Sequence, residues 1–123
     1  MNNRNLISST VFYSDTLPAN FIQLIESLNI PCVISPLHNR YFNLFTGDMV
    51  KPHYHVIFFF DRNKAPEHVR EVFSSFCNLC FDVVNNLRLV VRYLCYLDSP
   101  IVSPYNVSDV ICFGGIDYFD LIL

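Results

Sequence analysis

The chain has 123 residues, a net charge of −3 and 52% hydrophobic residues, which suits one compact domain with a substantial core. The negative balance argues against a generic nucleic-acid-binding domain, which is usually basic, so any contact with nucleic acid has to be local. No stretch reaches the roughly 18 uninterrupted apolar residues needed to span a bilayer, and the polar start Met1-Asn2-Asn3-Arg4-Asn5 does not lead into a signal-peptide core; the expectation is a soluble, cytoplasmic protein.

Thr10 to Tyr13 reads as a first short strand. Pro18-Ala19-Asn20 opens a helix whose apolar face is Leu17 or Phe21, Leu24, Ile25 and Leu28, and Asn29-Ile30-Pro31 ends it. Cys32 to Ser35 is a second strand, stopped by Pro36. Leu37 to Val50 is a long polar connection with a turn at Thr46-Gly47-Asp48. Lys51 to Phe60 is a third strand, expected to pair antiparallel with the second. Asp61 to Lys64 is a turn, and Pro66 and Glu67 start a helix that carries Val69, Val72, Phe73 and Phe76 and ends near Asn78. Leu79 to Val84 is a fourth strand, and Leu87 to Leu97 a further helix that Asp98-Ser99-Pro100 terminates. Val107 to Phe113 fits either a strand or a helix. After the Gly114-Gly115 turn, Ile116 to Leu123 is an apolar end expected to pack on the sheet or to form an oligomer contact. The order predicts an α+β fold, an antiparallel central sheet flanked by helices, in a single domain spanning residues 1–123.

Five cysteines, an odd count, lie among mostly apolar neighbours, which suggests reduced, buried thiols. Cys77-Asn78-Leu79-Cys80 has no second Cys-x-x-Cys to complete a zinc site, so it reads as cysteines on a helix end facing the core. All eight basic residues lie between Arg4 and Arg92, which allows a local basic surface or ordinary solvated charge.

The chemistry concentrates in His53-Tyr54-His55, at the head of the apolar run Val56 to Phe60. In a strand, residues i and i+2 share a face, so the two imidazoles project side by side. They fit two ligands of one divalent metal ion, or a pair of partly buried histidines bonded to backbone. His38 leaves the neighbouring strand and can approach the pair as a third ligand, leaving positions open for substrate. Tyr93, on the last helix, offers a phenol that becomes a competent nucleophile towards an activated phosphorus; taken alone it also fits a boundary aromatic. Arg92 can support phosphate binding, although adjacent helical residues point in different directions.

Ile34-Ser35-Pro36-Leu37-His38, Lys51-Pro52-His53-Tyr54-His55-Val56 and Arg92-Tyr93-Leu94, in this order, resemble the nicking domain of rolling-circle plasmid replication initiators, Rep proteins of the histidine-hydrophobic-histidine endonucleases. The resemblance covers nearly the whole chain. It implies a relaxase-like, RRM-like topology, a divalent Mn2+ or Mg2+ held by His53 and His55 with His38, and Tyr93 as the nucleophile. The implied partner is replicon origin DNA, hairpin or single-stranded at the nick, cut with a 5′-phosphotyrosine link and a free 3′-hydroxyl. Relatives commonly carry His-Asp-x-Asp where this chain has His38-Asn39-Arg40-Tyr41, so Asp48 or water is the expected replacement for the carboxylate. Tyr96 stands where relatives often have His and is a second phenol near the site. Two alternatives stay open: a catalytically impaired, Rep-derived protein that binds origin or operator DNA, and a small interaction domain that does neither.

Overall fold

The computed structural model describes residues 6–40 and 51–123; Tyr41, Asp48 and most of the predicted connection after Leu37 lie outside them. The strands are β1 (Ile7–Tyr13), β2 (Cys32–Ile34), β3 (His53–Phe59), β4 (Asp82–Val83) and β5 (Ile111–Phe113); the helices are α1 (Phe21–Ser27), α2 (Pro66–Phe73), α3 (Leu87–Tyr93) and α4 (Tyr118–Ile122). The strands form one sheet in the order β4-β1-β3-β2-β5, and every pairing is antiparallel. The β-α-β-β-α-β order with β1 and β3 at the centre is a ferredoxin-like arrangement, the RRM-like topology that the resemblance implies, extended at one edge by β5.

Period-two alternation in β3 divides the core between the two sheet faces. Tyr54, Val56 and Phe58 turn to a cluster with Phe12, Phe21 and Ile25 of β1 and α1 and with Val69 and Phe73 of α2. Phe12 is its hub, with ring centroids 5.0 Å from both Phe21 and Phe73. Ile57 and Phe59 turn the other way, to Val91, Leu94 and Cys95 on and just after α3 and to Tyr118 of α4. His53 and His55 share this second face, so the α3 side of the sheet is the chemical side.

Several boundaries differ from the sequence reading. β1 begins at Ile7 rather than Thr10 because Ser8 and Thr10 are buried in the sheet, with the Thr10 hydroxyl donating to the Cys80 carbonyl at 2.7 Å. The regular part of α2 stops at Phe73, leaving Val72 and Phe76 exposed. The fourth strand shrinks to a two-residue edge, while Phe81 packs beside Phe58 and Phe60. Segment 107–113 is both of its alternatives in turn, a short helical turn at Val107–Asp109 and then β5. Cys32 and Cys95 are buried and Cys77 and Cys112 half-buried, while Cys80 is exposed, so of the Cys-x-x-Cys pair Cys77 packs against the core and Cys80 does not. The apolar end folds into α4, whose Tyr118 hydroxyl donates to the Val91 carbonyl of α3. No helix among the described residues is long and apolar enough to cross a membrane.

Two glycines close the turn after β5, both with left-handed backbone, at φ +81° and +82°. A Cβ on Gly114 would lie 2.6 Å from the Cα of Pro31, whereas one on Gly115 would meet nothing within 4 Å. Both alanine substitutions pay the left-handed strain of about 1 kcal/mol. Gly114→Ala adds a backbone clash, so chemical denaturation should show it losing about 2 kcal/mol or more in total, well beyond the loss in Gly115→Ala.

Candidate metal centre

His53 and His55 come to one face through the strand pleat; His38 joins them through a shift in register. Ile34 stands opposite Val56, but further along the same pair His38 stands opposite His53. Ser35, Pro36 and Leu37 therefore span the stretch that Tyr54 and His55 span on the partner, a bulge of one extra residue. Strict pairing would have put Leu37 opposite His53; the extra residue puts His38 there instead. Ser35 anchors the bulge: its N–H donates to the His55 carbonyl at 2.9 Å, and its hydroxyl accepts the His55 N–H at 3.0 Å. His38 and His53 then exchange two backbone hydrogen bonds, 2.8 and 3.1 Å long. Side chains directly opposite in such a pair share a face.

The three rings form a tight group, with centroids 5.3 Å apart for His38–His53 and 5.0 Å for His38–His55 and His53–His55. One ligand nitrogen from each lies within 4.8 Å of the others. Backbone carbonyls fix two of the tautomers, because a carbonyl only accepts. His38 Nε2–H donates to the Leu94 carbonyl at 2.7 Å, which leaves the lone pair on Nδ1. His53 Nδ1–H donates to the Lys51 carbonyl at 2.7 Å, which leaves the lone pair on Nε2. This is how proteins orient metal-binding imidazoles. Burial, with the like charge of its neighbours, pushes His55 down to about 3, and burial likewise pushes His38 down to about 4. Both are neutral near pH 7, the state a ligand must have. The donor set thus fits one divalent ion.

Aromatic rings wall the trio. Tyr93 is 47% exposed and its ring lies 5.4 Å from that of His55, while Tyr96 lies 5.0 Å from Tyr93 and 4.8 Å from His38. Tyr105, which the sequence reading passed over as loop, stacks on His38 at 5.0 Å with an interplanar angle of 11° and accepts the Asn39 N–H. The Arg40 guanidinium sits 3.9 Å over the same ring. Only the topology brings this tyrosine home, because its N–H bonds the Cys95 carbonyl just after α3. Arg92 is engaged elsewhere: it pairs bidentately with Asp98 at 2.9 Å and donates to the Ile122 carbonyl at 2.7 Å. The structure thus gathers His38, His53, His55, Tyr93 and Tyr96, and ties Arg92 to α4.

The depressed histidines make metal-free stability depend on pH. Above about pH 6.5 both are neutral whether folded or unfolded. As pH falls below that, the unfolded chain takes up protons that the folded chain refuses, so stability is lost from about pH 6.5 down towards about 4. In chelator, denaturant titrations should show a loss on the order of 1 kcal/mol per histidine for each pH unit, and His55→Gln should flatten that slope.

Comparison with known proteins gives the family. Residues 3–120 match the family described as "plasmid replication protein, origin binding domain". A replication protein of Staphylococcus aureus is 28% identical over 121 residues, covering 98% of this chain and 60% of the relative. The replication protein RepB of Lactiplantibacillus plantarum is 33% identical over 107 residues, 87% of this chain and 48% of the relative. The chain thus spans about half to three-fifths of these relatives' length. With the match running from one end of the fold to the other, this chain belongs to the plasmid replication protein origin-binding domain family.

Proposed function

We propose that this domain is a metal-dependent, tyrosine-type DNA-nicking endonuclease that starts rolling-circle replication of a plasmid or small phage. The observation that carries the reading is the half-exposed Tyr93, with its ring 5.4 Å from that of His55 at the rim of a three-histidine cluster. A nucleophile that must meet a DNA phosphate has to be accessible, and the groups that would activate the phosphate have to lie beside it.

The substrate is replicon origin DNA, presented single-stranded or in a hairpin at the nick. The Tyr93 oxygen bonds to the scissile phosphorus as the bond from phosphorus to the 3′ oxygen breaks. The phenol proton passes to solvent and the departing 3′ oxygen takes one up. The products are a 3′-hydroxyl, able to prime synthesis, and a 5′-phosphotyrosine that keeps the ester for later rejoining. His38, His53 and His55 would hold the divalent ion, Mn2+ or Mg2+, which when bound supplies Lewis-acid polarisation of a phosphoryl oxygen. Three imidazole donors favour Mn2+ over the harder Mg2+. Arg40 flanks the trio through Tyr105 and supplies positive charge at its rim. The second reading, an origin- or operator-binding protein that has lost catalysis, draws on the sequence Asn39-Arg40-Tyr41 after His38, where related enzymes carry carboxylates.

Incubating the chain with labelled oligonucleotides from its own replicon and Mn2+ should yield a covalent protein–DNA band on a denaturing gel. Tyr93→Phe and chelator should each abolish the band. A native-gel shift without the band would establish the second reading instead. The double variant His53→Ala/His55→Ala should lose nicking below detection while keeping its far-ultraviolet circular dichroism.

A further inference from the structure

Tyr96 occupies a backbone state that needs explaining. After α3 the chain closes with Tyr96 N–H donating to the Tyr93 carbonyl at 3.0 Å and Leu97 N–H to the Arg92 carbonyl at 3.1 Å. This pair of bonds is a Schellman ending, whose left-handed position is usually glycine. Here it is Tyr96, at φ +56°. A bulky residue in that region is strained, and such strain persists where the side chain has a task at a functional site.

The side chain points to that task. The Tyr96 hydroxyl lies 3.4 Å from His38 Nδ1, the nitrogen whose lone pair the Leu94 carbonyl leaves free. That is long for a hydrogen bond from a hydroxyl, which prefers about 2.7–2.8 Å. The length of this weak hydrogen bond is also the spacing of two donors on one ion, because bonds of about 2.0–2.1 Å put neighbouring tetrahedral donors about 3.3–3.4 Å apart.

We propose that the Tyr96 phenolic oxygen is a fourth donor to the metal at His38, His53 and His55, an oxygen ligand in place of the carboxylate that related enzymes carry. It binds as phenolate, with its proton passing to water on metal uptake. This rests on the metal centre of the proposed function but not on nicking. It also divides the work of two neighbouring phenols: Tyr96, drawn in against His38, holds metal, while Tyr93, at the exposed rim, meets the phosphate.

Two spectroscopic readouts test it. Co2+ titrations followed by absorption should show binding weakened about ten- to a hundredfold in Tyr96→Phe, with an altered ligand-field spectrum, and unchanged in Tyr93→Phe. Fe3+ supplied as a chelate to the Tyr93→Phe chain should produce the visible phenolate-to-iron charge-transfer band, and the band should vanish in Tyr93→Phe/Tyr96→Phe. The iron readout on Tyr93→Phe leaves Tyr96 untouched, so a missing band there overturns the assignment however the Tyr96→Phe variant folds. Wild-type Co2+ affinity in Tyr96→Phe, no iron band in Tyr93→Phe, or a band that survives the double variant would each overturn the assignment of Tyr96. Failure of the wild-type chain to bind Co2+ would overturn the three-histidine centre itself and this inference with it.

Discussion

The site depends on one stretch of backbone pairing, the doubly hydrogen-bonded contact between His38 and His53 beyond the bulge of β2. Register in an antiparallel pair decides which side chains share a face. A strictly paired strand would have offered Leu37 to His53, and the imidazole of His38 would have turned to the opposite side of the sheet. One added residue reverses that, and Ser35 holds the addition by bonding to both backbone groups of His55. The cluster is therefore assembled by backbone pairing. Its three rings are fixed by two strands of the central sheet, the rigid placement that a chemical site requires.

Around that pairing, the two sheet faces have different duties. The α1 and α2 face is filled by Phe12, Phe21, Val69 and Phe73 and carries much of the stabilising burial. The α3 face begins as core at Ile57 and Leu94 and becomes polar towards His55 and His53. The transition runs along a single strand, so the apolar layer that stabilises the fold also forms the low-dielectric floor under the imidazoles. That floor keeps His38 and His55 uncharged.

Much of this was legible in the residues. The α1 helix, the β2–β3 pair and the side-by-side placement of His53 and His55 follow from spacing alone, because helical and strand periodicities are strong local signals. The antiparallel sheet with flanking helices follows from their order. Other elements left weaker traces. Ser8 looks like loop until the sheet buries it, since its partners on the neighbouring strands are brought up only by the folded chain. β5 has three residues and pairs with β2 almost eighty positions away in sequence, so no local pattern could announce it. Tyr96 looked like the next turn of a helix; its left-handed backbone carries none of the glycine or asparagine that usually marks one. Tyr105 acquires meaning only when the chain after α3 folds back onto His38. Long-range pairing and strain that a distant partner supports leave little mark on local sequence.

The docking of α4 has a mechanical side. Val91, Arg92 and Tyr93 are consecutive on α3, and the first two are bound to α4 by hydrogen bonds, Val91 through its carbonyl to Tyr118 and Arg92 through its guanidinium to the Ile122 carbonyl. Arg88 adds a third tie, to the Leu123 carbonyl at 3.1 Å. These bonds join the apolar C-terminal segment to the same turn of helix that presents the half-exposed phenol. The same turn also reaches the trio, because the Leu94 carbonyl just after Tyr93 accepts the His38 Nε2–H. The helix that carries the phenol is thus clamped from two sides, by the sheet beneath it and by α4 across it.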